Sequence, residues 1–287
     1  MLSSTSQLTR TATINDRQKL AYLIHFEVHV HRHLDYRPPL DWVGRRPFPI
    51  IQKQGDIVAA LACPPDPPNI AWIRMFACKN QYSLRSAWQT LWDSAYAELQ
   101  EIPNVSVAAA IPMQSWFRVL LRSSHFQETN RIIMLAWNGY EPPTGEYNTE
   151  INIRPIRQDD LEDVKKIDNA SFVAVWQNSQ DYLELAFRQA TIATLAEVNG
   201  KIIGYQISTA TPMGGHLARL AVHPDKQRCG VGYTLLRSVL DHFIRRGARM
   251  VTVNTQADNQ ASIALYSKTG FNQTGEEYSI FELDIQR

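Results

Sequence analysis

The chain has 287 residues, long for one domain and comfortable for two, with 44% hydrophobic and 20% charged residues, enough to bury a core. Its formal net charge is +1, spread as 14 basic against 13 acidic residues through Glu150 and 15 against 15 beyond, so no basic field exists to recruit nucleic acid. No apolar run is long enough to span a bilayer, Met1 to Thr5 lack a charged segment leading an apolar one, and Cys63, Cys78 and Cys229 form neither a metal-ligand spacing nor a disulfide framework; the expectation is a reduced, cytoplasmic protein without metal, membrane or nucleic-acid partners.

In chain order, His25, His29 and His33 recur at helical spacing with His31 beside them, which reads as a solvated helix face. Residues 54–61, QGDIVAAL, read as a turn followed by an apolar strand. Residues 138–150, NGYEPPTGEYNTE, carry two prolines and two glycines and read as a surface break. Beyond it the pattern repeats: NGKIIGYQ (199–206) resembles QGDIVAAL, and Gly55 and Gly200 stand 145 positions apart. The same offset holds for Arg74 and Arg219, Leu91 and Leu236, and Phe126 and Phe271. An offset kept across four elements indicates an internal duplication with domain-sized copies, residues 1–138 and 151–287, joined by a linker at 139–150. Arg74 and Arg219 are expected to pair with acidic neighbours across the domain junction.

Within the second copy, residues 151–156 predict a short strand, and Gln158-Asp159-Asp160 opens a helix with acidic residues at its positive end. A second helix is predicted over 181–189, and strands at 191–198 and 201–209 flank the Asn199-Gly200 turn. A strand over 216–222, a helix over 230–246, a strand over 250–255, a helix over 262–268 and a strand over 277–285 complete the copy. The class is α+β, a mixed and mostly antiparallel sheet flanked by helices.

Two motifs carry chemistry. Val222 to Gly232, VHPDKQRCGVG, joins an apolar strand to an amphipathic helix. Glycines at 230 and 232 clear side chains from a helix N-terminus, where unsatisfied amides and the positive end of the dipole bind phosphate. The glycine spacing fits neither a dinucleotide fingerprint nor a P-loop. The second motif is Asn259 to Phe271: Asn259 can cap a short helix, Gly270 can end it, and Tyr266 projects from it.

Together, in this order, the motifs resemble the GNAT acetyltransferase superfamily over residues 151–287, which makes the chain similar to two tandem GNAT-like domains. The resemblance implies acetyl-CoA as cosubstrate, without metal. It implies a sheet that splays between the strands near 217–222 and 250–255, with pantetheine along Leu220, Ala221 and Val222. It places the pyrophosphate on Gln227, Arg228, Cys229, Gly230, Val231 and Gly232, Asn259 beside the pantetheine, and Tyr266 as the acid toward the departing thiol. A thiol has a reference pKa near ~8.5 and a tyrosine near ~10, so Tyr266 either donates a hydrogen bond or has a lowered pKa.

Ala218 and Arg219 stand where many relatives place a glutamate base, leaving Glu197, Tyr205, His216 and Glu277 as base candidates. Phe172 and Trp176 lie in a segment similar to the substrate side of ribosomal-protein alanine N-acetyltransferases. In the first copy the matching positions are Tyr82, Arg85, Ala87, Gln114 and Leu121, so that copy is expected to be degenerate and structural, a partner-like half of a monomeric pseudo-dimer. The implied activity is N-acetylation of an amine-bearing small molecule or peptide by the second copy; a non-catalytic acyl-CoA-binding regulator is the alternative.

Overall fold

A computed structural model describes residues 9–139, 148–211 and 214–286. Of the expected linker, residues 140–147 lie outside the described residues. The chain divides into two compact units, Met1–Thr129 with Ser279–Arg287, and Asn130–Tyr278.

The first unit is built from β1 (Thr9–Thr11), α1 (Arg17–Phe26), β2 (His29–Arg32), β3 (Pro49–Lys53), β4 (Asp56–Ala62), β5 (Ile70–Trp72), β6 (Met75–Cys78), α2 (Leu84–Glu101), β7 (Val107–Ala110) and α3 (Ser115–Ser123). Strand β8 (Gln127–Trp137) begins in it. Five strands form an antiparallel sheet in the order β1-β3-β4-β6-β2. One face of this unit buries α2 through Trp88, Leu91, Trp92, Ala95 and Leu99, a stripe at helical spacing. Another core gathers Leu20, Leu23 and Ile24 of α1 with Trp42 and Phe48.

The second unit contains β9 (Asn152–Pro155), α4 (Leu161–Ser171), α5 (Gln180–Gln189), β10 (Ile192–Val198), β11 (Lys201–Thr211), β12 (Gly214–Val222), α6 (Val231–Arg245), β13 (Val251–Gln256) and α7 (Gln260–Lys268); β14 (Phe271–Asp284) begins in it. Strands β9 to β12 are antiparallel neighbours, and β12 pairs with β13 in parallel. Helices α6 and α7 pack through Leu236, Val239, Leu240, Phe243 and Tyr266 onto Leu217, Val251 and Val253.

The two units repeat one plan at the expected spacing. The β3–β4 and β10–β11 hairpins both turn on a residue pair with positive φ, Gln54-Gly55 (49° and 81°) and Asn199-Gly200 (51° and 74°). Helices α3 and α7 match at both ends, Ser115–Ser123 against Gln260–Lys268.

Two features depart from the sequence reading. Strand β14 starts at Phe271, six residues before the expected start, because its first half, NQTGEEY, is mostly exposed and carries no apolar alternation. The compact units also exchange their ends relative to the repeats 1–138 and 151–287. Residues Ile132–Trp137 of β8 pair with β13, and Ile133, Leu135 and Trp137 enter the second unit's core. Residues Phe281–Asp284 of β14 pair with β7, and Phe281 and Ile285 enter the first unit's core.

This exchange predicts that Phe281→Ala, at the far end of the sequence, unfolds the first unit more easily. Deleting a fully buried phenylalanine costs about 3–5 kcal/mol. Five of the seven tryptophans (42, 72, 88, 92 and 116) lie in that unit, so denaturation followed by tryptophan fluorescence reports it.

Candidate active site

The site begins where two strands part. Strand β12 pairs with β13 at Gly215–Val251, His216–Thr252 and Leu217–Val253, and no pairing continues beyond Leu217. On its other edge β12 stays paired to β11 as far as Val222, with a register shift between Ile207 and Ser208 that leaves Ala218 as the extra residue. A bulge bends the strand that carries it, and here it sits at the point of parting. The His223 amide donates to Ile203 O, so by alternation the backbone groups of Leu220 and Val222 face the open side. The Val222 carbonyl there accepts from Ser171 Oγ (3.0 Å) and Gln227 Nε2 (3.2 Å).

The open edge runs into the loop that starts α6. Arg228 (φ 61°) and Gly230 (φ 85°) take left-handed conformations, the kind of turn from which concave anion sites are built. Gly230 is the N-cap and supplies no side-chain acceptor to the first turn. Gly232 has a different reason: a Cβ there would meet Leu265 Cδ2 at 3.1 Å, so the glycine lets α6 approach α7.

Between these elements lies a cleft of about 790 Å³. It brings together most of the residues expected there: Leu220, Ala221, Val222, Gln227, Arg228, Gly230, Gly232 and Asn259. Cys229 is an exposed free thiol on the loop, and Val231 points into the core, leaving its backbone to the site. Sequence reasoning did not single out Ser171, Tyr233 or Lys268, which line the same cleft; the Lys268 ammonium lies 5.6 Å from the centre of the Tyr233 ring. Their signal was spacing alone, since Lys268 is two residues past Tyr266 on the same helix.

Helix α7 is capped by its own Asn259, whose Oδ1 accepts from the Ser262 amide at 3.1 Å. Tyr266 is not among the side chains lining the cleft; it is 5% exposed and packs on Phe271 with ring centroids 5.7 Å apart. Burial raises its pKa, so the local lowering allowed by the sequence does not occur, and the hydroxyl keeps its proton at neutral pH.

The opposite wall is fixed by a buried polar network. Asp168 of α4 is fully buried; its Oδ2 accepts from Tyr205 OH (2.5 Å) and from Arg219 Nε (2.9 Å) and Nη2 (2.6 Å), and its Oδ1 from the Asn178 amide (2.9 Å). Arg219 also donates to Trp176 O (2.6 Å) and lies over the Phe172 ring, 3.5 Å from its centre. Arg74 likewise pairs with Asp35 at 2.9 Å inside the first unit. Each arginine therefore pairs with a carboxylate of its own unit, where the expectation was a partner across the junction, because each faces a carboxylate that its own fold buries.

Three of the four base candidates are held away from that role. Hydrogen bonds from Asn152 and Arg154 keep the Glu197 carboxyl below its ordinary value. Burial and the neighbouring Asp168 push Tyr205 well above its own. Glu277 is exposed and paired to Arg131 at 2.8 Å. His216, whose Nδ1 lies 2.9 Å from Thr252 Oγ1, is the fourth.

The first unit closes the corresponding slot with its own chain. Strand β5 pairs in parallel with β7 through Trp72–Ala109, and the edge of β6 just beyond it pairs antiparallel with β2 from His29–Cys78 to Arg32–Met75. The histidine row is thus a strand and not a helix face. His31 is fully buried, stacked on Phe117 at 4.1 Å, and burial pushes its pKa down to about 4. His29 meets Trp116 at 5.4 Å, and only His25 stays exposed on a helix, α1. Helix α2 is capped by Ser83, which accepts from the Ser86 amide; Arg85 follows in its first turn, Ala87 is buried, and Leu121 is fully buried core. Among the described residues, no three histidine, cysteine or carboxylate side chains converge as a metal site would require, and no helix is long and apolar enough to cross a membrane.

Residues 161–271 match the family described as the acetyltransferase (GNAT) family. Over 75 residues the chain is 37% identical to the ribosomal protein bS18 alanine N-acetyltransferase of Escherichia coli K12, a match covering 26% of this chain and 51% of that enzyme. The chain therefore spans about half the length of the curated relatives it matches. Its fold is similar to a tandem GNAT protein from the clavulanic acid biosynthesis pathway, with 14% identity, a TM-score of 0.65 and 98% of both chains covered. It is also similar to a GCN5-related N-acetyltransferase from Sphaerobacter thermophilus, with 16% identity, a TM-score of 0.63, and 98% of this chain and 96% of that one covered.

The Asp168 network makes a testable prediction. Arg219→Met leaves a fully buried carboxylate without its cation and should cost about 3–5 kcal/mol. Adding Asp168→Asn should recover part of that loss, so urea denaturation of the two single variants and the double variant should show strong non-additivity.

Proposed function

We propose, from the match of residues 161–271 to the acetyltransferase (GNAT) family, that this chain transfers an acetyl group from acetyl-CoA to a primary amine of a small molecule or a peptide N-terminus. The reading is carried by one observation: β12 parts from β13 at Leu217–Val253, and its open edge leads into a helix N-terminus whose cap, Gly230, presents no side chain. A linear, amide-bearing thioester with a pyrophosphate at its far end fits both halves of that arrangement. Backbone groups of Leu220 and the Val222 amide would pair with the amide-bearing arm, and amides 228–232 would take the pyrophosphate. Arg228 and Lys268 at the cleft wall add positive charge toward the phosphates.

Acetyl-CoA supplies an activated carbonyl; the chain orients it and manages the charges. A backbone amide of the β12 edge would donate to the carbonyl oxygen as negative charge develops there. Tyr266, protonated and with its ring packed in the core, acts as a hydrogen-bond donor toward the departing sulfur and not as a full acid. The local identity to a ribosomal-protein alanine N-acetyltransferase supports an α-amine as acceptor. Such an amine has a pKa of about 7.7–8.0 and is substantially neutral near physiological pH. Three free cysteines support a reducing, cytoplasmic setting, and the first unit serves as scaffold.

The test is a screen of amino acids, polyamines and alanine-initiated peptides for release of free thiol from acetyl-CoA. Failure with every amine, alongside tight CoA binding, would favour a non-catalytic acyl-CoA sensor. Calorimetric titration with CoA should give one site per chain, since β2 fills the first unit's slot, and Gly230→Arg should abolish the tight component. Two equal sites would contradict the assignment. Tyr266→Phe should lower turnover by about 10²-fold or more while CoA affinity holds, because the ring keeps its packing.

A further inference from the structure

Resting on the acetyltransferase reading, the geometry points to His216 Nε2 as the general base that takes the proton from the attacking amine.

The position along the strand comes first. If pyrophosphate sits at the loop after Val222, the arm of the thioester runs back along β12 toward the parting at Leu217. At about 3.3 Å per residue, Val222 to Ala218 spans on the order of 13 Å, which brings the reactive end to the apex of the splay. His216 is the next residue past that apex and is paired with Thr252.

The face of the sheet comes second. A Cβ on Gly215 would strike the Phe243 ring of α6 at 2.6 Å, and Leu217 packs with Leu236 and Val239 of α6. His216, between them, therefore faces the other side, where Arg219 and Tyr205 meet Asp168 of α4. Tyr266 belongs to the core on the α6 side. A base on one face and a hydrogen-bond donor on the other is the arrangement an addition to a carbonyl with departure of sulfur needs.

The ring's protonation pattern comes third. Thr252 Oγ1 lies 2.9 Å from His216 Nδ1 and 3.5 Å from Gly215 O. Donation by the threonine to the carbonyl leaves its oxygen to accept from Nδ1–H, so Nε2 carries the lone pair. The ring is half-buried, and burial alone lowers its pKa, which keeps it neutral near pH 7. The titratable groups on that face, Tyr205, Asp168 and Arg219, are engaged with one another, and none of them shifts His216.

In the step itself the amine nitrogen forms the C–N bond, its proton passes to Nε2, the C–S bond breaks, and the thiolate takes a proton from solvent. His216 then returns its own proton to solvent.

The experiment compares wild type, His216→Gln and Thr252→Val with the amine that turns over fastest in the screen, measuring kcat against pH and CoA affinity by calorimetry. His216→Gln should lose about 10²- to 10⁴-fold in kcat at neutral pH with CoA affinity unchanged. The acid limb of wild-type kcat should lie below pH 6.5, the value of an unperturbed imidazole, and vanish in the variant, whose residual rate should rise as the amine deprotonates itself. Thr252→Val should show a smaller loss in kcat with CoA affinity unchanged. Unchanged kcat and acid limb in His216→Gln, or a parallel loss of CoA affinity, would overturn the assignment of His216 while leaving the acetyltransferase reading intact. Absence of transfer by wild type to any amine would overturn both.

Discussion

The structure depends on a strand that is paired at one end and released at the other. Strand β12 keeps its partner β11 throughout but gives up β13 after Leu217. Backbone groups left unpaired in a partly buried place are costly unless something satisfies them, so the parting must be enforced. Three local features enforce it. The extra residue Ala218 bends β12, the Gln227 and Ser171 side chains take the Val222 carbonyl, and the network around Asp168 pins Arg219, on that same strand, to α4.

The two units show opposite solutions to the same vacancy. In the first, the chain leaves β7 after β5, as β12 leaves β13, but β2 pairs with the edge of β6 that follows and His31 stacks on Phe117 of α3. An unpaired edge is a liability, and the first unit removes it with its own chain. In the second unit the released edge lines the cleft. The helix caps follow suit: Ser83 caps the start of α2 with its side chain, whereas Gly230 offers the start of α6 no side-chain acceptor. Duplication followed by self-closure of one copy accounts for both differences without a change of plan.

The exchange of chain ends adds a second consequence. Each unit is finished by a strand that belongs, by sequence, to the other repeat: β8 supplies Leu135 and Trp137 to the second core, and β14 supplies Phe281 to the first. Neither repeat as cut at residues 138 and 151 therefore carries a whole core, and the stability of the first unit rests in part on residues at the far end of the sequence.

By itself the sequence determined the α+β class, the duplication at a spacing of 145, the Asn199-Gly200 hairpin, the glycine loop and the Asn259 cap, because each depends on backbone preferences within a few residues. The departure of the first copy from the motif was legible at Arg85, Gln114 and Leu121, but the strand that seals its edge was not. The alternating surroundings of His29 and His31 come from β6 and α3, far away in the chain, and four-residue spacing misled where two-residue alternation applied. Only the tertiary structure decided the burial and the partner of each candidate. Burial and a partner decide whether a carboxyl, phenol or imidazole can act, and neither Arg154 beside Glu197 nor Asp168 beside Tyr205 is a sequence neighbour. His216 was one name among four until the fold set it next to Thr252, at the apex of the parting strands.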